Sequence, residues 1–181
     1  MFLIFHKIII IYLINGSASH SSIRNSYSKR TIENFMAFSN QPFLDCNQRL
    51  CMIFNGISVV FSTENSQQYE TIGSFWDCMA ETYGLEKLRG LGYNWTRNTI
   101  EYAIGLKTNE KIDLSGLSLP SSFDHPQYKE ISLPNNGWQT RTGETQFLSK
   151  IYDEIYLSGP LLYEIETFTE NGKCQINFIR K

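Results

Sequence analysis

Two carboxylates, Glu164 and Glu166, stand two residues apart in Leu161-Leu162-Tyr163-Glu164-Ile165-Glu166-Thr167-Phe168, an otherwise apolar and aromatic stretch. Side chains alternate along a strand, so Leu162, Glu164, Glu166 and Phe168 are expected on one face and Tyr163 and Ile165 on the other. A carboxylate turned toward aromatic rings is costly unless it meets a cation or hydrogen-bond donors. Such a group either recognises a ligand or carries out proton chemistry. The competing reading is an edge strand whose glutamate face is solvated. If Glu164 points inward, Glu166 is its solvated or rim-side neighbour, and a bulge is needed to separate the two.

Little other catalytic equipment accompanies this pair. His6, His20 and His125 are scattered, and no Ser-His-Asp or Cys-His set can be assembled. The four cysteines, Cys46, Cys51, Cys78 and Cys174, form no CxxC pair and have no metal-ligand spacing, so neither a metal nor a cofactor is expected. They read as reduced and structural, which favours a cytoplasmic setting. Aromatic residues are plentiful instead, with twelve Phe, ten Tyr and three Trp, a mild pointer to a ligand cavity beyond what a core needs.

The elements that must position these groups begin near residue 50. Cys51 to Phe61 reads as a strand, with Gly56 as the place for a bulge. Asn65 with Gln68 resembles a capping box opening a helix on which Tyr69, Ile72, Phe75/Trp76, Met79 and Tyr83 share a face, and Gly84 stops it. Leu91 to Trp95 and Ile100 to Lys107 read as a strand pair, followed by a loop holding Pro120 and Pro126. Tyr128 to Leu133 and Trp138 to Thr142 read as strands. Phe147, Leu148, Ile151, Tyr152, Ile155 and Tyr156 form a second helical face ended by Gly159-Pro160. The glutamate strand follows, then an Asn171-Gly172 hairpin turn and a last strand, Cys174 to Ile179. The expectation is an α+β domain built from a duplicated strand-helix-strand-strand unit, with antiparallel sheets, two helices and pseudo-twofold symmetry.

Charge and the first residues set further bounds. Residues 1–41 carry Lys7, Arg24, Lys29 and Arg30 against Glu33, so a total of −2 leaves −5 for the remainder. An acidic domain of this kind has no footprint for direct nucleic-acid binding and would tolerate cationic ligands. Residues 1–15 are apolar but too short to span a bilayer. With Lys7 inside the run they make secretion a minority alternative to the cytoplasm. Residues 16–41 read as a linker, which gives a division into 1–41, outside the fold, and a domain at 42–181. Asn94-Trp95-Thr96 matches a glycosylation sequon that matters only to a secreted chain.

Over residues 50–181 the order of elements resembles the GyrI-like small-molecule-binding family, the AraC-type effector-binding domain. The matching pieces are Ile72-Gly73-Ser74-Phe75-Trp76, Gly92-Tyr93-Asn94-Trp95 with Glu101-Tyr102-Ala103-Ile104-Gly105, and Tyr163-Glu164-Ile165-Glu166. The resemblance implies an aromatic cleft between two halves with Glu164 near its centre. Trp76, Tyr102, Tyr93 and Trp138 would line it. The chain departs from the family pattern in a shorter segment before the glutamate strand and in Glu166, where an aromatic is common. Without the resemblance, Trp76 on an amphipathic helix reads as core more readily than as pocket, and Tyr102 as a core cap with a wet hydroxyl.

Three functions follow from these residues. The first is a binding protein that captures cationic or amphipathic aromatic molecules, since aromatic faces attract cations and a carboxylate adds charge-assisted hydrogen bonds. The family's domains often accompany a DNA-binding helix-turn-helix. None is read here, so the resemblance implies transcriptional regulation through a ligand or a regulatory protein partner. The second is a small hydrolase in which Glu164, helped by Tyr102, activates water on a reactive electrophile. The third is a protein-interaction module.

Overall fold

The computed structural model describes residues 51–181. The expectations for the apolar start, the linker and residues 42–50 therefore lie outside the described residues. The chain is α+β. Strands β1 (Cys51–Ser62), β2 (Leu88–Tyr93), β3 (Thr99–Leu106), β4 (Asp124–Pro134), β5 (Gln139–Glu144), β6 (Leu161–Phe168) and β7 (Lys173–Arg180) form one antiparallel sheet. Helix α1 (Gln68–Tyr83) lies between β1 and β2 in the chain, and α2 (Leu148–Leu157) between β5 and β6. The sheet order is β4-β1-β3-β2-β6-β7-β5, so β2 pairs with β6 at its centre.

The helices form where the apolar spacing says they should. Phe75, Trp76 and Met79 on α1 are almost wholly buried, each worth roughly 1.5–3 kcal/mol of removed apolar surface. Leu148, Tyr152 and Ile155 do the same on α2. Gly84 ends α1 with φ of 84°, a backbone region that glycine enters without steric cost. The start of α1 differs from the expected capping box. Asn65 sits at φ of 53° in a tight turn, the helix begins at Gln68, and neither side chain caps it. Gly56 is likewise no bulge: the register of β1 against β4 shifts between Ser58 and Val60. Strand β4 begins at Asp124, inside the stretch expected to be loop.

Both helices pack on one face of the sheet, with Ile57, Phe61, Leu88, Tyr102, Ile104, Ile176 and Phe178 beneath them. Among the described residues no helix covers the other face, yet Phe54, Leu91, Ala103 and Leu133 on it are fully buried. Chain connectivity explains this. The two outermost strands, β4 and β5, are joined by only residues 135–138. That link spans at most roughly 18 Å, whereas a flat sheet would hold its edges about 28 Å apart. The sheet must curl, and its inner face buries itself. Trp138 fastens the link, donating from Nε1 to the Pro134 carbonyl at 2.7 Å and lying 6.5 Å from the Tyr163 ring of β6.

The cysteines do not all behave as expected. Cys78 and Cys174 are free thiols, but Cys51 is disulfide-bonded. Cys51 is therefore not one of the reduced cysteines expected of a cytoplasmic chain. Among the described residues, no helix is long and apolar enough to cross a membrane.

Candidate ligand cavity

Alternation along β6 turns Glu164 and Glu166 to the helix-covered face, and both are buried, at 2% and 6% exposure. Glu166 is therefore neither solvated nor at a rim, and no bulge separates the pair. The irregularity in β6 falls earlier, between Leu161 and Tyr163. It turns Leu161 into the core and leaves Leu162 exposed, the reverse of simple alternation.

The strand beside them makes the room. On β2 the residues opposite Glu166 and Glu164 are Gly90 and Gly92. A Cβ at Gly90 would stand 2.1 Å from the Tyr102 hydroxyl and 2.7 Å from the Trp76 ring. At Gly92 it would press the Trp95 ring at 3.0 Å. Strand β2 is bare on this face so that three aromatic side chains can lie across it. The result is a cavity of about 270 Å³ between α1, α2 and the sheet, into which Trp76, Trp95, Tyr102, Tyr152, Tyr156 and both glutamates project. Among the described residues no lysine, arginine or histidine lines it.

A chain of donors converges on the carboxyl groups. Trp76 Nε1 donates to the Tyr102 hydroxyl at 2.8 Å, and Tyr102 donates to Glu166 Oε2 at 2.7 Å. Tyr152 donates to Glu166 Oε1. Tyr156 donates to Glu164 Oε2 at 3.1 Å. The two carboxyl groups also hydrogen-bond each other. A bond between carboxyl groups requires a proton, and burial, then the Glu166 charge, pushes the Glu164 pKa well above its ordinary value of 4.5. Glu164 is thereby pushed toward its protonated form. Burial, followed by the same neighbouring charge, raises the Tyr102 and Tyr152 phenols well above 10.0, so both remain donors.

Three of the five residues expected at the site meet here: Glu164, Trp76 and Tyr102. Tyr93 and Trp138 do not. Tyr93 is an odd-numbered neighbour of Gly92 and Gly90 on β2, so it faces the inner side of the curled sheet, where its hydroxyl lies 2.7 Å from Ser58 Oγ. Trp138 belongs to the same inner cluster. In the sequence Tyr152 and Tyr156 mark only the core face of a helix, and neither Phe168 nor Trp95 stands out as a pocket residue. One signal was present. Tyr152 and Tyr156 are four residues apart on an apolar helix face, where buried hydroxyls need partners, and two carboxylates on a facing strand supply them.

Among the described residues no cluster of His, Cys, Asp or Glu could hold a metal ion. Comparison of the chain with protein-family models, with characterised proteins and with solved structures gives no match.

Proposed function

We propose that the chain binds small organic cations with an aromatic body in the cavity between the helices and the sheet. The observation that carries this reading is a buried carboxyl pair walled by aromatic rings, with no basic residue among the described residues that line the cavity. Burial and the repulsion between the two charges favour a proton on the pair. A bound cation takes over the proton's role, and rings at the walls add cation–π attraction of about 0.5–2 kcal/mol each. Glu166 has both oxygens committed to Tyr102 and Tyr152, so it anchors the network. Glu164, held by the half-open Tyr156, is the recognition carboxylate.

The resemblance to GyrI-like effector-binding domains agrees with this reading. It is supported by the strand order, in which β1-β3-β2 on one side of the sheet is matched by β5-β7-β6 on the other, each with one helix. On that reading the unit is duplicated about the β2–β6 seam, and the protein serves transcriptional regulation by sensing a ligand.

N-methylquinolinium and its neutral isostere 1-methylnaphthalene test the proposal, with binding followed by tryptophan fluorescence. Glu164→Gln should weaken the cation by roughly 1.5–3 kcal/mol, the worth of a charge-assisted hydrogen bond, and change the neutral compound far less. Equal losses for both would remove the cation from the proposal.

A second reading rests on the proton held by Glu164. A buried carboxylic acid hydrogen-bonded to a carboxylate and flanked by phenols has the parts of a general acid–base pair, so a hydrolase acting on a reactive electrophile is the alternative. Turnover of a strained electrophile, abolished by Glu164→Gln, would favour it.

A further inference from the structure

The inner face of the curled sheet holds a second cavity, of about 380 Å³, with the opposite electrostatic character. Among the described residues, Arg89 of β2 and Lys107, just past β3, are its charged residues, and no carboxylate lines it. The Arg89 guanidinium is half-buried and lies 4.6 Å from the centre of the Phe54 ring. Its Nη2 donates to the Ile53 carbonyl at 3.4 Å and to Asn109 Oδ1, while its Nε is buried without a partner. None of the ion pairs among the described residues includes it. A half-buried guanidinium without a counter-ion is costly, and burial lowers its pKa accordingly.

A third donor stands nearby. The side-chain oxygen of Asn177 accepts from Thr140 at 2.8 Å and from Gln175 at 3.1 Å, which leaves the amide NH₂ as the donating end. Two cations and an amide donor therefore meet beside the apolar surfaces of Trp138, Met52 and Ile165. We propose that this cavity is a second ligand site, for a small organic anion whose carboxylate or phosphate head pairs with Arg89 and Lys107 and whose apolar body lies on Trp138. The anion supplies the counter-charge that Arg89 lacks, and a guanidinium fork suits either head group. The site is independent of the acidic cavity, since Ile165 and Thr167 face it while Glu164 and Glu166 face away on the same strand.

Calorimetric titration of the full chain with 2-naphthoate, 2-naphthyl phosphate and the neutral 2-naphthamide tests this, together with the indole N–H resonance of Trp138. At least one anion should bind about tenfold or more tightly than the amide and shift that resonance. Arg89→Gln should weaken the anion by about tenfold and Lys107→Gln by severalfold, whereas Glu164→Gln should leave it within about twofold. The tighter anion identifies the head group. Absence of binding by both anions, an amide that binds as well, or a resonance shift confined to Trp76 and Trp95 would overturn the proposal. If Arg89→Gln does not fold, Lys107→Gln and the amide comparison decide the matter, since Lys107 is exposed.

Discussion

Replacing Glu164 by Gln should change how stability depends on pH, and the change can be worked out from the carboxyl pair. In the folded protein Glu164 keeps its proton well above 4.5, because burial and the adjacent Glu166 charge oppose ionisation. In the unfolded chain it ionises at its ordinary value. Between those two values the native state holds one more proton than the unfolded state. Unfolding free energy must then fall as pH rises, by roughly 1.4 kcal/mol per pH unit for one proton. The stabilisation is complete below the unfolded pKa and is lost by the raised folded pKa. Gln has the same shape, can donate a hydrogen bond to Glu166 and does not titrate. The variant should lack this slope, and the difference from the native chain cancels every other titrating group. Urea denaturation of both proteins at about pH 5 and about pH 6 reads it, with the variant gaining roughly 1 kcal/mol relative to the native chain across that interval. Parallel stability curves for the two proteins would refute the claim that burial pushes Glu164 toward its protonated form.

The bare face of β2 is testable in the same way: Gly90→Ala drives a methyl into the Tyr102 hydroxyl and Trp76 ring and should cost about 1–3 kcal/mol in urea denaturation, with weaker binding of N-methylquinolinium. Trp138→Phe and Tyr93→Phe should leave affinity for that cation within about twofold, since both side chains lie on the inner face, while Tyr93→Phe loses the Ser58 bond and about 0.5–1.5 kcal/mol of stability. Gly172→Ala, at φ of 77° in the β6–β7 turn, should cost about 1–2 kcal/mol by thermal melting without altering ligand affinity.

What local chemistry dictates was legible in the sequence. The spacing of Phe75, Trp76 and Met79, the stop at Gly84, the Asn171-Gly172 turn and the alternation through Glu164 and Glu166 depend on neighbours a few residues away, and each is found in the fold. Charge composition gave an acidic domain, and no more than that. Tertiary structure alone decided which aromatic residues meet those carboxylates. Tyr93 and Trp138 looked as eligible as Tyr152 and Tyr156, because a sequence does not say which way a sheet curls or which of its faces the helices cover. The four-residue link between β4 and β5 closes the sheet on Tyr93 and Trp138 and leaves Glu166 beneath α2, within reach of two phenols. That pairing is a contact between residues 64 positions apart for Tyr102 and Glu166, and chain connectivity around the sheet creates it.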